Sequence, residues 1–236
     1  MNIILLFNND FISGLQRVCL RDRRFSHIQE VHHAAIGDEL CVGLLGGNRG
    51  TGRVVALTDT SVEMELLLDS PPPEALQVTL VLALPRPKVL KRVLLSAASM
   101  GVKHIVLLNA FRVEKSFWKS PSLTEESLRE ALFAGLEQAR DTILPEVLLR
   151  PLFKPFVEDE LPAIVQGTLP LVAHPPASGP CPRNVAAPVT LAIGPEGGFI
   201  PYEVEKLMAC GFTPISLGER ILRVETAVPA LLSRLF

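Results

Sequence analysis

From residue 76 onward the chain alternates short apolar runs with longer amphipathic ones, a pattern that restricts it to a sheet with helices packed against it. VTLVLALP, IVLLN at 105 to 109, LPLVAHP, VTLAIGPEGGF and TPISLGE read as strands. Between them, KVLKRVLLSAASMGVKH places Val89, Val93, Leu94 and Ala97 at helical spacing, with Gly101 where a helix would stop. A second helix runs through EESLREALFAGLEQARDTI, capped by Ser122 or Thr124 and halted by Pro145. YEVEKLMACG, closed by Gly211, and ETAVPALLSRL complete the set. Alternation of this kind implies a parallel sheet covered on both faces.

The first 70 residues follow a different rule. IILLF, GDELCVGLL, GRVVALT and SVEMELLL are short runs broken by turn residues, which reads as small all-β structure. GGNRGTG at 46 to 52 lacks the Lys-Ser or Lys-Thr of a phosphate loop and no helix pattern follows it, so it reads as a hairpin loop whose glycines supply positive φ. The triple proline at 71 to 73 continues neither ladder nor helix and marks a boundary. Two domains are therefore expected, at 1–70 and 74–236.

Composition narrows the function classes. Of 236 residues, 48% are hydrophobic and 20% charged, enough apolar surface to offset the entropy of ordering. No run approaches the roughly 18 apolar residues of a spanning helix. MNIILLFNND has no basic segment before its apolar stretch, so it does not read as a signal peptide, and a cytoplasmic protein is expected. Cys19, Cys41, Cys181 and Cys210 lack CxxC spacing, and His32 and His33 have no acidic or cysteine partner at suitable spacing, so no metal site is expected. Net charge is only −2, yet residues 86 to 119 hold eight basic side chains (Arg86, Lys88, Lys91, Arg92, Lys103, Arg112, Lys115, Lys119) against the single acid Glu114. That stretch is either a polyanion-binding surface or a solvated helix face with a basic loop.

The chemistry concentrates near the end of the chain. In AIGPEGGF at 192 to 199 an apolar strand meets Gly194, Pro195, Glu196, Gly197 and Gly198 before a short helix. Ligands of parallel sheets sit at the carboxyl ends of strands, and glycines there let backbone approach them closely. The motif is neither GxGxxG nor GxxxxGKS. ISLGERILRVETA at 215 to 227 repeats the arrangement of strand, glycine, charge and helix. Backbone groups at Gly194, Gly197, Leu217 and Gly218 would be available to a ligand, and Ile193, Ile215, Ile221 and Leu222 would form an apolar slot for a flat, neutral ring. Glu196 either touches the ligand, through a hydroxyl or a positive centre, or caps the helix that follows.

The order GPEGGF, a strand ending in LG, then ILR and ETA resembles the SPOUT class of RNA methyltransferases, and more closely the ribosomal small subunit methyltransferase E family. The resemblance extends to SAASMGVKHIVLLNAFR, to LEQARDTILP and, in the first domain, to SHIQEVHHAAIGDEL, so nearly the whole chain is covered. It implies a PUA-like β-barrel over 1–70 that binds RNA, and an α/β methyltransferase domain over 74–236 with a trefoil knot. It also implies S-adenosylmethionine as cofactor, N3 of a uridine in 16S rRNA of the small ribosomal subunit as target, and a homodimer.

Carried over residue by residue, the cofactor loops would be Leu171 to His174, Ile193 to Gly198 (with Gly194, Glu196 and Gly197) and Ile215 to Arg223 (with Leu217, Gly218, Ile221 and Leu222). Arg223 and Arg140 are the arginines expected to stabilise charge on the target base, with Glu225 as base or as orienter of Arg223. The alternative for each is a structural ion pair at the dimer interface. Val224 stands where the family has threonine, VHHAA where it has leucine and arginine after valine, and Ser99 and Met100 where it has glutamate and leucine. A second reading is accordingly an RNA-binding or ribosome-assembly module that retains the fold without catalysis.

Overall fold

The computed structural model describes residues 3–14, 16–175 and 179–236. The chain forms two compact units, one of Met1–Glu74 with Leu136–Leu144, the other of Ala75–Gly135 with Pro145–Phe236. Among the described residues no helix is long and apolar enough to cross a membrane.

The first unit is built on six strands: β1 (Ile4–Leu6), β2 (Phe11–Ser13), β3 (Arg17–Leu20), β4 (Glu39–Leu44), β5 (Arg49–Leu57) and β6 (Val62–Ser70). They lie in the order β1-β4-β5-β6-β3-β2, with β1 parallel to β4 and the other neighbours antiparallel. Leu6, Leu20, Ile28, Val42, Val62 and Met64 are buried together as its core. The expected hairpin falls between β4 and β5, but the glycines divide their roles. Gly46 takes φ +77, whereas Gly50 lies inside β5, where a Cβ would collide with the carbonyl of Leu67 at a register shift.

A short helix follows β3. Helix α1 (Arg23–His27) is capped by Asp22, whose carboxylate accepts the N–H of Arg24 at 2.9 Å. It positions a buried guanidinium: Arg24 donates to both oxygens of Asp10 at 2.6 and 2.7 Å, to Asp22 at 2.7 Å and to the carbonyl of Leu5 at 2.7 Å, above the ring of Phe7. Burial pushes the Arg24 guanidinium down, and the hydrogen bonds to Asp10 and Asp22 more than offset it, so it stays above its ordinary value.

The second unit contains β7 (Val78–Ala83), α2 (Pro87–Ser99), β8 (His104–Leu108), α3 (Glu125–Ala139), β9 (Glu146–Arg150), the short helices α4 (Phe153–Pro155) and α5 (Leu161–Ile164), β10 (Leu169–Ala173), β11 (Gly179–Pro180), β12 (Val189–Ile193), α6 (Pro201–Ala209), β13 (Thr213–Ser216) and α7 (Val224–Leu235). The sheet runs β11-β13-β10-β12-β7-β8-β9 and every pairing in it is parallel. All five residues of β12 and five of the six in β7 are buried, as central strands covered on both faces require. Helix α2 packs on α7, and Gly135 lets α3 approach α2, since a Cβ there would strike the carbonyl of Leu95. Ser99 suits that crossing, donating to the carbonyls of Leu95 and Gly135 at 2.8 and 3.2 Å.

Three expectations shift. Helix α3 ends at Ala139, short of Pro145, because Arg140 turns to φ 55 and the N–H of Asp141 returns to the carbonyl of Leu136. Its last turn and the residues to Leu144 belong to the first unit, where Ile3 donates to Glu137 at 3.0 Å and Gly46 to Thr142 at 2.8 Å. Lys103, one of the eight basic residues between 86 and 119, is only 7% exposed and so adds little to a charged surface.

Replacing Asp10 by alanine should leave Arg24 buried with a reduced set of partners and lower the stability of the first unit by about 3–5 kcal/mol in urea unfolding. The Asp22 carboxyl is held below its ordinary value of 3.8, first by the Arg24 hydrogen bond and against partial burial. Its contribution is therefore complete above that value and lost as pH falls below it, so Asp22→Asn should blunt the acid end of the stability profile.

Candidate cofactor cleft

Strands β13, β10 and β12 are sheet neighbours, so their carboxyl ends at Ser216, Ala173 and Ile193 emerge side by side. The His174 N–H donates to the Ile215 carbonyl at 2.9 Å, holding the first two exits together. The turns that follow line an open, narrow cleft of about 100 Å3. Ile193, Ile215, Leu222, Ala227 and Leu231 supply apolar walls, and Glu196 and Arg220 supply charge. Burial pushes His174 below its ordinary value, which leaves that ring neutral near pH 7.

The glycine turn has the close geometry its composition suggested. Gly198 adopts φ +71 and donates to the carbonyl of Pro195 at 2.7 Å, folding the loop back on itself. A Cβ on Gly194 would lie 2.8 Å from the Phe199 nitrogen and 3.2 Å from the Gly198 Cα, so only glycine fits without moving backbone. Glu196 caps a helix, but not the one that follows: its Oε1 accepts the N–H of Arg86, the N-cap residue of α2, at 3.0 Å.

His174, Ile193, Gly194, Glu196, Gly198, Ile215, Leu217, Gly218, Ile221 and Leu222 all line this cleft. Leu171 is buried within β10, two residues short of the strand end. Gly197 faces away, with its carbonyl accepting from the Arg112 guanidinium and its Cα so close to that side chain that a Cβ would sit 2.9 Å from Cδ. Sequence reading did not mark Ala227 and Leu231, although their spacing of four on the terminal helix was a readable sign of a shared face.

Residues 72–236 match the family model described as an RNA methyltransferase domain. The chain belongs to that family. Over nearly its whole length it is also similar to proteins named ribosomal RNA small subunit methyltransferase E. The protein of that name from Treponema pallidum is 28% identical over 235 residues, covering 98% of this chain and 88% of the relative. The one from Borreliella burgdorferi is 25% identical over 234 residues, covering 98% and 95%. In fold, the chain is similar to a crystal structure of ribosomal RNA small subunit methyltransferase E from Neisseria gonorrhoeae bound to S-adenosyl methionine. The TM-score is 0.78 at 21% identity, over 98% of this chain and 95% of that one. A putative methyltransferase from Legionella pneumophila in complex with the same cofactor aligns with TM-score 0.76 at 23% identity, over 99% and 96%.

In this methyltransferase-family chain the residues expected to act on the target base stand outside the cleft lining. Arg223 is the exposed N-cap of α7, Glu225 lies half-buried in its first turn, and Val224 between them is 4% exposed, its apolar side chain helping to anchor the helix start. Arg140 sits in the segment that clusters with the first unit, where its carbonyl accepts from Arg49 at 3.3 Å. Among the described residues no group of three or more His, Cys, Asp or Glu side chains is disposed to hold a metal ion.

One carboxylate that sequence reading missed organises the cleft's outer side. Glu203, 2% exposed in the first turn of α6, accepts the N–H of Ile200 at 2.9 Å and that of Phe111 at 2.7 Å. The local half of this was legible as proline at the helix start with glutamate two residues on, a capping arrangement. Glu203→Ala should strand two N–H groups and cost about 1–3 kcal/mol or more, measured by urea unfolding.

Proposed function

We propose that this chain transfers the methyl group of S-adenosylmethionine to N3 of a uridine in 16S rRNA of the small ribosomal subunit. The observation that carries the reading is the apolar cleft formed by the three strand-end turns, in a chain whose family is that of RNA methyltransferases. Ile193, Ile215 and Leu222 would hold a purine face, and the backbone around Gly194, Leu217 and Gly218 would meet its polar edges and the ribose. Glu196, committed at one oxygen to Arg86, keeps a carboxylate on the cleft wall that suits a positively charged sulfonium. When bound, the cofactor supplies an electrophilic methyl group.

The remaining work falls to the protein's own side chains. Uridine N3 attacks only after losing its proton, so a cation must favour the anion and a base must accept the proton. Arg223 at the N-cap of α7 and Glu225 in its first turn, next in sequence to the cleft-lining Leu222, are our choice for those tasks, with Arg140 as a second charge on the RNA. We further read residues 1–70 as a PUA-like β-barrel that binds RNA and 74–236 as the knotted SPOUT domain. Insertion of β13 between β10 and β11 supports the knot, and the curled order of the six-stranded sheet supports the barrel. A homodimer in the cytoplasm completes the reading, supported by Ile221 at 81% and Leu217 at 38% exposure, an apolar rim for a second subunit to cover.

Calorimetric titration should give saturable binding of S-adenosylmethionine, and no binding at millimolar ligand would refute the assignment. Tritiated methyl should pass to undermethylated small subunits. Arg223→Ala should retain cofactor affinity while lowering transfer by about 10²-fold or more. Cofactor binding without any incorporation by the native chain would instead favour the non-catalytic RNA-binding module.

A further inference from the structure

The loop after β8 presents an aromatic ring to solvent from a rigid support. Phe111 is 78% exposed, yet the backbone beneath it is pinned on every side. Its N–H is held by the buried Glu203, Arg112 bonds the Gly197 carbonyl on the outer side of the cleft turn, Val113 is buried, and the Trp118 indole donates to the Asn109 side chain at 2.8 Å. A loop held this firmly orders its ring at little further entropic cost when a partner arrives. The surroundings are cationic: Arg86, Arg112, Lys115 and Lys119 are exposed, with Glu114 the one acid between residues 86 and 119. Arg86 and Arg112 flank the cleft turn, through Glu196 and Gly197.

A single rigid aromatic among exposed cations matches single-stranded RNA, whose unstacked bases lie on aromatic faces while cations follow the phosphates. It matches a second protein copy less well, since interface cores are depleted in charge. We propose that Phe111 is a stacking platform for a base of the single-stranded RNA segment delivered to the cleft, with Arg112 and Lys115 taking the adjoining phosphates. This rests on the methyltransferase reading above and adds a specificity-determining residue to it.

The test compares wild type, Phe111→Ala and Phe111→Tyr in the full chain, using undermethylated small subunits as substrate. Phe111→Ala should raise KM for the subunits about tenfold, with tyrosine restoring most of the loss. The salt dependence of subunit binding should keep its slope, because no charge is removed. Calorimetric affinity for S-adenosylmethionine and the sedimentation coefficient should both be unchanged. An active wild type with an indifferent Phe111→Ala variant would overturn the stacking role alone. So would a tyrosine variant as poor as alanine, or a change of oligomeric state, which would assign the ring to a second copy. A wild type that binds no cofactor or transfers no methyl would instead overturn the reading of the cleft, and this proposal with it.

Discussion

The site depends on where β13 enters the sheet. By pairing between β10 and β11, it brings its carboxyl end beside those of β10 and β12, and three chain segments leave the sheet at one place. Backbone hydrogen bonds hold the exits in register up to their last residues, through His174 to Ile215 and Cys181 to Ser216. A parallel sheet gathers the same backbone polarity at one edge, and the glycines after β12 and β13 let those turns stay close to it. The cleft follows from topology before any side chain is considered.

Long-range clamps then stiffen it. Glu196 reaches the amino end of α2, Arg112 reaches Gly197 from the loop after β8, and Glu203 reaches that loop from α6. Each bond joins elements far apart in sequence, so the turn is supported by the body of the second unit and not by its own residues alone. Support of this kind holds a ligand site in its working shape in advance, which lowers the ordering cost of binding.

What could be read from the sequence was what is local. In the second unit β7, β8, β10, β12 and β13 and the four longer helices announced themselves through apolar periodicity, whereas β9, β11, α4 and α5 did not. Gly194, Gly198 and Gly218 were marked by residue type, because glycine is required where a Cβ would collide or φ is positive. The three segments lining the cleft were assigned by family resemblance. What escaped reading was nonlocal. The partner of Glu196 lies at Arg86, the second partner of Glu203 at Phe111, and the partner of Gly197 at Arg112, distances along the chain that no local pattern encodes. Burial of Lys103 and the assignment of Leu136–Leu144 to the first unit are equally products of tertiary packing. The Arg24 cluster shows the same limit, since its partner Asp10 lies fourteen residues away in the chain and joins it only through the fold.

Everything functional in this account requires the three strand-end turns to hold the methyl donor together. A crystal structure of the chain grown with S-adenosylmethionine examines that directly. Density for the donor is expected between Ile193, Ile215 and Leu222, its ribose side against the turns at Gly194 and Gly218. Donor density elsewhere on the molecule, or a cleft closed by Ile221 and Leu217 folding inward, would contradict it.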